Sequence, residues 1–160
     1  MWEIMCFAKL VPGDYSNEDA VEREINYIYN PSHATSGYYG GVAVSYLNPE
    51  ITIEQFKAVK RIYHKEDGRQ IKHLVVSFAK NEHVSAKKAL EIGYIIAEYF
   101  NNRYQIYFGV HENEEHIHIH FGINTVSYID GKKYSAGPYE QDEIRKYIEA
   151  VTGFRCRWYN

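Results

Sequence analysis

The segment from His111 to His120 constrains the fold more than any other part of the chain. It reads His-Glu-Asn-Glu-Glu-His-Ile-His-Ile-His and holds four of the eight histidines. Side chains of an extended strand alternate between its two faces, so His116, His118 and His120 share one face, while the opposite face carries Ile117, Ile119 and Phe121. Because the apolar residues fix which face turns to the core, the segment predicts a strand with a defined histidine face.

That histidine face has the composition of a metal site. Two neutral imidazoles at alternate strand positions can converge on one divalent ion, and His111, after the run from Tyr104 to Val110, can supply a third from a paired strand. Three protein ligands leave a coordination position open for substrate. The alternative is a solvated polar face that binds ions adventitiously. A cupin-like or oxygenase site would need a further His or carboxylate ligand, which the pattern lacks.

Charge restricts how the chain can meet nucleic acid. Its 18 Lys and Arg residues against 21 Asp and Glu give a formal net charge of −3, so the molecule as a whole is not the basic body of a general nucleic-acid binder. Any such binding must be local. The segment from Lys57 to Lys72 is the most basic, and Arg61 and Lys65 within it are candidates for phosphate contact, although a solvated helix face is an equal alternative.

Length and cysteine use suggest an intracellular domain. We expect the 160 residues to form a single domain, 1–160. Cys6 and Cys156 form no Cys-x-x-Cys pair, which argues against a thiolate metal site and gives no disulfide framework. With neither a signal peptide nor an apolar stretch of membrane-spanning length, we expect a soluble, cytoplasmic protein in a reducing setting.

Hydrophobic periodicity and turn residues predict the order β-α-β-α-β-α-β-β-α-β. The strands are expected at Trp2–Leu10, Gly41–Tyr46, Ile71–Ala79, Arg103–His111, Glu115–Tyr128 and Phe154–Trp158. The helices are expected at 18–29 with Ser16 or Asn17 as cap, 52–65 with a capping box at Thr52, 85–100, and from Pro138 to Gly153. Asn30–Gly37 is expected to be a loop. The fold class is therefore α+β, a mainly antiparallel sheet with helices packed on one or both faces.

Several ordered motifs together resemble the relaxases, the mobilisation nucleases of the HUH endonuclease superfamily. His118-Ile-His120 is similar to the His-hydrophobe-His pair of that superfamily, and His111 takes the place of its upstream histidine. Ile25-Asn-Tyr27-Ile-Tyr-Asn-Pro31 resembles the N-terminal tyrosine motif. Three further segments follow in the family's order: Val76-Ser-Phe78, Lys87–Gly93 and Asp130–Tyr134.

The resemblance implies nicking of single-stranded DNA at an origin of transfer, with Tyr27 joined covalently to the 5′ phosphate. It implies that His111, His118 and His120 hold a divalent ion, with Mn or Mg expected. His116, Glu112 and Glu114 would then lie beside the ligands or contact the phosphate. The DNA would be single-stranded or hairpin-flanked, accessory mobilisation proteins are possible partners, and Lys132 and Lys133 would contact phosphates by their position after the metal strand.

Two departures from the family pattern, and three alternatives, stay open. Asn113 stands where many relaxases have a carboxylate two residues after the first metal histidine, and His33 stands where a lysine is usual. Tyr29 competes with Tyr27 as nucleophile, although the two point ~200° apart on a helix. Tyr147 would be the nucleophile of a replication-initiator or transposase type of enzyme. A non-catalytic DNA-binding module that keeps the metal strand is the third alternative.

Overall fold

The computed structural model describes residues 4–13, 15–30, 32, 34–80, 82–100, 102–113 and 116–159, apart from the side chains of 34–36 and 113. The strands are β1 (Met5–Leu10), β2 (Ala34–Val42), β3 (Ile71–Phe78), β4 (Ile106–Asn113), β5 (His116–Asn124) and β6 (Arg155–Trp158). The helices are α1 (Ala20–Tyr29), α2 (Pro49–Ile62), α3 (Ala86–Ala97) and α4 (Glu140–Thr152). These elements follow one another in the order that the sequence predicts.

The six strands form one sheet in the order β2-β4-β5-β3-β1-β6. Every neighbouring pair is antiparallel except β1 and β6, which are parallel. The histidine strand β5 lies between β4 and β3, in the interior of the sheet. The predicted α+β class with a mainly antiparallel sheet is confirmed.

Helices cover both faces of the sheet and divide the core in two. α3 and α4 pack on one face, where Ile119 and Phe121 of β5 join a large apolar cluster. α1 and α2 cover the other face with Ile25, Ile28 and Phe56. The strict alternation of β5 therefore turns its isoleucines toward α3 and α4, and its histidines toward the face covered by α1, called the histidine face below.

The last turn of α1 lies close to the sheet at two glycines. The helix buries Ala20, Val21, Glu24, Ile25 and Ile28 along one side, and full burial of a side chain such as Ile28 contributes about 1.5–3 kcal/mol. A Cβ at Gly109 of β4 would stand only 3.0 Å from the Ile28 carbonyl oxygen, and one at Gly122 of β5 would stand 3.1 Å from the Ile28 side chain. Glycine at these two positions lets the helix approach the middle of the sheet.

The position predicted for the second strand is wrong. The structure pairs Ala34–Val42 with β4, although its first four residues fall in the expected loop Asn30–Gly37 and the predicted strand Gly41–Tyr46 covers only its last two. The segment has three glycines and no apolar alternation, so its sequence gives a weak strand signal. Its backbone hydrogen bonds to β4 hold it in the sheet as an edge strand with a register shift between Ala34 and Tyr39.

Other boundaries differ for local reasons. α2 begins at Pro49, because the Asn48 side chain accepts a hydrogen bond from the Glu50 amide and proline suits the first turn. The predicted capping box at Thr52 is therefore wrong, and the Thr52 hydroxyl donates instead to the Ser45 carbonyl. Among the described residues, no side-chain hydrogen bond caps α1, which begins at Ala20 after Asp19, so the predicted cap at Ser16 or Asn17 is wrong. α2 ends at Ile62, β5 ends at Asn124, and α4 begins two residues after Pro138.

Within the described residues, each helix falls short of the length and apolar character that a membrane span requires.

Candidate active site

The three predicted metal ligands lie together at the middle of the sheet. His111 of β4 pairs directly with His118 of β5, and His120 follows two residues later on the same face. The ring centroids of His111 and His120 are 4.1 Å apart, and those of His118 and His120 are 6.1 Å apart. His111 and His120 are buried, and His118 is half-buried. Strand pairing alone thus gathers three imidazoles from two elements.

The three imidazoles are suitable ligands for a divalent ion, although their rings do not converge on one point. Three neutral imidazoles are ordinary ligands of divalent transition ions. The His111 Nε2–H donates to the Ile28 carbonyl over 2.8 Å, so in this rotamer the lone pair of that ring is on Nδ1. The rings of His118 and His120 are nearly parallel, at 12°. In the described part of the chain, no group of three His, Cys, Asp or Glu side chains is placed so that it could hold an ion.

Tyr27 lies over the histidines from the last turn of α1. Its ring centroid is 5.5 Å from that of His120, 5.7 Å from that of His111 and 6.0 Å from that of His73. The side chain is nevertheless 42% exposed, so a molecule in solution can reach it. Burial raises the pKa of the Tyr27 phenol, and the negative charge of Glu24 raises it further. The phenol is therefore protonated at neutral pH in the absence of substrate and ion.

The two competing tyrosines lie elsewhere. Tyr29 points away from the cluster and stacks on Tyr39 with 5.1 Å between ring centroids. Tyr147 is on α4, which packs on the sheet face opposite the histidines, and its hydroxyl donates to the Ile95 carbonyl over 3.4 Å. The geometry therefore disfavours the replication-initiator arrangement, in which Tyr147 would face the ion.

The residues expected beside the metal ligands do not all lie on the histidine face. His116 lies at the exposed end of β5, where its Nδ1–H donates to the Phe78 carbonyl over 3.1 Å. Glu112 pairs with Ile117, so strand alternation directs its side chain to the face opposite His111. Both residues line a cleft of about 170 Å³ at the end of the sheet. Glu114 lies outside the described residues, as does His33.

Sequence reasoning missed two members of the cluster. His73 of β3 places Nε2 2.9 Å from His120 Nδ1, and its Nδ1 lies 2.7 Å from Glu24 Oε1 on α1. The available signal was the position of His73 between Ile71 and Val75 in a buried strand. A single histidine there does not reveal that β3 pairs with β5, so the neighbour of His120 could not be inferred.

Comparison with known proteins places the chain in a family. A family model described as relaxase, MobA/VirD2-like, nuclease domain, matches residues 27–153, which is most of the chain. The chain belongs to this relaxase family. The resemblance inferred from the ordered motifs is therefore confirmed.

Relatives of this relaxase domain are longer proteins. A protein named rlx from Staphylococcus aureus is 33% identical over 132 residues, covering 81% of this chain and 38% of the relative. Another rlx protein from the same organism is 29% identical, covering 81% and 39%. The chain thus spans about two-fifths of the length of these relatives.

A solved structure supports the fold. It comes from work on the molecular basis of vancomycin resistance transfer in Staphylococcus aureus. The two chains superpose with a TM-score of 0.52 and 13% sequence identity, over 78% of this chain and 75% of the other. At this identity the likeness concerns the fold alone.

The basic residues expected to contact DNA lie away from the histidines. Lys133 forms a β-bridge with Val126, just after β5 ends at Asn124. That end of the strand is roughly 20 Å from His118. Its ammonium donates to the Asp67 carbonyl, and that of Lys65 donates to the Gly131 carbonyl over 3.1 Å. Arg61 lies 3.8 Å from Glu54, and Lys132 is exposed. Their role in a relaxase domain stays a prediction.

Proposed function

We propose that this relaxase domain nicks single-stranded DNA at an origin of transfer through a covalent tyrosine intermediate, with Tyr27 as the nucleophile. The observation that carries the proposal is the position of Tyr27, whose ring lies within 6.0 Å of three histidine rings on the histidine face. A partly exposed phenol beside imidazole ligands brings together a nucleophile and a place for the charge of a phosphate.

The proposed covalent ester conserves the energy of the phosphodiester bond that is broken, so that the strand can be rejoined. The Tyr27 oxygen attacks phosphorus, the bond from phosphorus to the 3′ oxygen breaks, and the phenolic proton is balanced by the proton gained at the released 3′ hydroxyl. His111, His118 and His120 would hold a divalent ion, Mn or Mg by family expectation, which when bound offsets charge on the non-bridging oxygens. His116, at the exposed end of the same face, is proposed to contact the phosphate.

The proposed substrate is single-stranded or hairpin-flanked DNA. The exposed side of Tyr27 and the neighbouring exposed Tyr29 face solvent at the end of α1, where an unpaired strand can approach closely. Accessory mobilisation proteins are proposed as further partners, as membership of the relaxase family implies.

Alanine substitution of the histidines tests the ion site. Replacing His111, His118 or His120 should abolish binding of Mn²⁺ in calorimetry and cleavage of a labelled oligonucleotide. His116→Ala should only weaken both, because its ring is turned to the Phe78 carbonyl. Equal losses for His116→Ala and His118→Ala would contradict the ligand assignment. Ion and DNA binding without cleavage would favour the non-catalytic DNA-binding module instead.

A further inference from the structure

Glu24, His73 and His120 form a buried chain of polar contacts across three elements. Their exposed fractions are 6%, 4% and 6%. His73 Nδ1 lies 2.7 Å from Glu24 Oε1, and within the described residues that nitrogen has no hydrogen-bond partner beyond this ion-pair contact. His73 Nε2 lies 2.9 Å from His120 Nδ1. The chain thus leads from a carboxylate on α1, through β3, to a proposed metal ligand on β5.

The hydrogen positions along this chain follow from the carboxylate. An ionised carboxylate only accepts, so it favours a proton on His73 Nδ1. A neutral His73 then carries its lone pair on Nε2, which accepts from a proton on His120 Nδ1. The remaining lone pair of His120 is on Nε2, the nitrogen on the far side of the ring from His73. One carboxylate therefore fixes the tautomers of two imidazoles in series.

The surroundings of Glu24 hold its carboxylate in place. The Tyr15 hydroxyl also hydrogen-bonds Glu24, and the Arg69 guanidinium lies 4.8 Å from the centre of the Tyr15 ring. Burying a carboxylate costs free energy that an apolar side chain of the same size would not cost. The family pattern predicts an orienting carboxylate at position 113, where this chain has Asn113.

We propose that Glu24 and His73 are positioning residues that hold His120 in the Nδ1–H tautomer, with Nε2 directed to the ion. The proposal rests on the proposed function, because it assigns a purpose to the His120 lone pair. Partners that hydrogen-bond the second nitrogen of a ligating histidine fix its orientation, and their loss typically lowers metal affinity 10–100-fold.

The tautomer of His120 can be read in the ion-free protein by nitrogen NMR of the histidine rings. In the wild type, His120 should show a protonated Nδ1 and an unprotonated Nε2. Glu24→Leu removes the acceptor and should mix the tautomers, whereas Glu24→Gln keeps an acceptor oxygen and should retain part of the preference. Glu22→Leu, on the exposed side of the same helix, is the matched control. A His120 tautomer that is the same in wild type and Glu24→Leu would overturn the proposal.

Calorimetry with Mn²⁺ supplies the second measurement. Glu24→Leu and His73→Leu should weaken binding by about 10–100-fold, Glu24→Gln should lose less, and Glu22→Leu should match wild type. Unchanged affinity in folded Glu24→Leu would overturn the positioning role. If wild type bound no Mn²⁺, the proposed ion site would fail, while the tautomer measurement would still decide whether Glu24 controls His120.

Discussion

At the scale of single residues, Lys60 shows how strongly burial can shift an ionisable group in this domain. The side chain is 3% exposed, and its ammonium donates to the Gln70 carbonyl over 2.8 Å and to the Asn124 side-chain oxygen. These acceptors are neutral. Burial, with a smaller effect from the charge of Lys133, lowers the pKa of Lys60 to about 7.

The stability of the domain should therefore depend on pH through Lys60. In the unfolded chain this lysine keeps its proton up to about pH 10.4, so above pH 7 the unfolded state binds more protons and folding becomes more favourable as pH rises. We expect a gain of roughly 1 kcal/mol per pH unit between pH 7 and 8.5, measured by urea unfolding. Lys60→Met should remove this slope and Lys57→Met, one turn earlier, should keep it; equal slopes in both variants would contradict the assignment.

Residue-level prediction from sequence succeeded where the signal was local. The alternation from His116 to His120 is contained in five residues, and the structure shows the two faces that it implies. Glu24 and His73 belong to different elements and meet only through packing of α1 on the sheet. Their roles depend on long-range register, which no short pattern in this chain encodes.

At the scale of elements, the approach of α1 to β4 and β5 determines where Tyr27 lies. The order of elements was predictable because helix and strand periods differ clearly along most of the chain. The edge strand β2 was not, because its glycine-rich sequence pairs with β4 through backbone hydrogen bonds that leave little trace in side-chain pattern. Likewise, the start of α2 is marked by Asn48 and Pro49, and not by the capping-box spacing at Thr52.

Gly109→Ala tests the close approach of α1. The added Cβ would stand 3.0 Å from the Ile28 carbonyl and 3.1 Å from the Tyr39 ring, so the helix must shift outward with Tyr27. We expect a loss of about 1–3 kcal/mol in the free energy of unfolding and at least a tenfold lower rate of DNA cleavage. Gly137→Ala is the control, because a Cβ there meets nothing within 4 Å. A Gly109→Ala protein with wild-type stability and rate would contradict this account of the helix position.

At the scale of the whole molecule, a net charge of −3 requires that any DNA contact depend on local surfaces. Tyr27, the proposed nucleophile, lies over the histidine face, while Lys65, Lys132 and Lys133 lie at the far end of the middle strands. A DNA strand bound both at the histidine face and at these lysines would run parallel to the middle β-strands. Of these lysines, Lys65 and Lys132 are exposed and Lys133 is half-buried.

Binding should favour single strands and weaken steeply with salt. Each phosphate contact contributes a slope of about −0.7 in a plot of log affinity against log salt for single strands. Lys132→Ala and Arg61→Ala should each reduce the magnitude of that slope, measured by fluorescence anisotropy, whereas Lys88→Ala on α3, on the opposite face, should not. Tighter binding of a blunt duplex than of a single strand would contradict the proposed substrate.

The most direct test of Tyr27 as the nucleophile is to identify the residue that becomes linked to DNA. Incubation with Mn²⁺ and a labelled single-stranded oligonucleotide that contains an origin sequence should give a denaturant-resistant adduct. Mass spectrometry of its peptides should place the nucleotide on Tyr27, and Tyr27→Phe should abolish the adduct, while Tyr29→Phe and Tyr147→Phe retain it. An adduct mapped to another residue, or one that persists in Tyr27→Phe, would contradict the account.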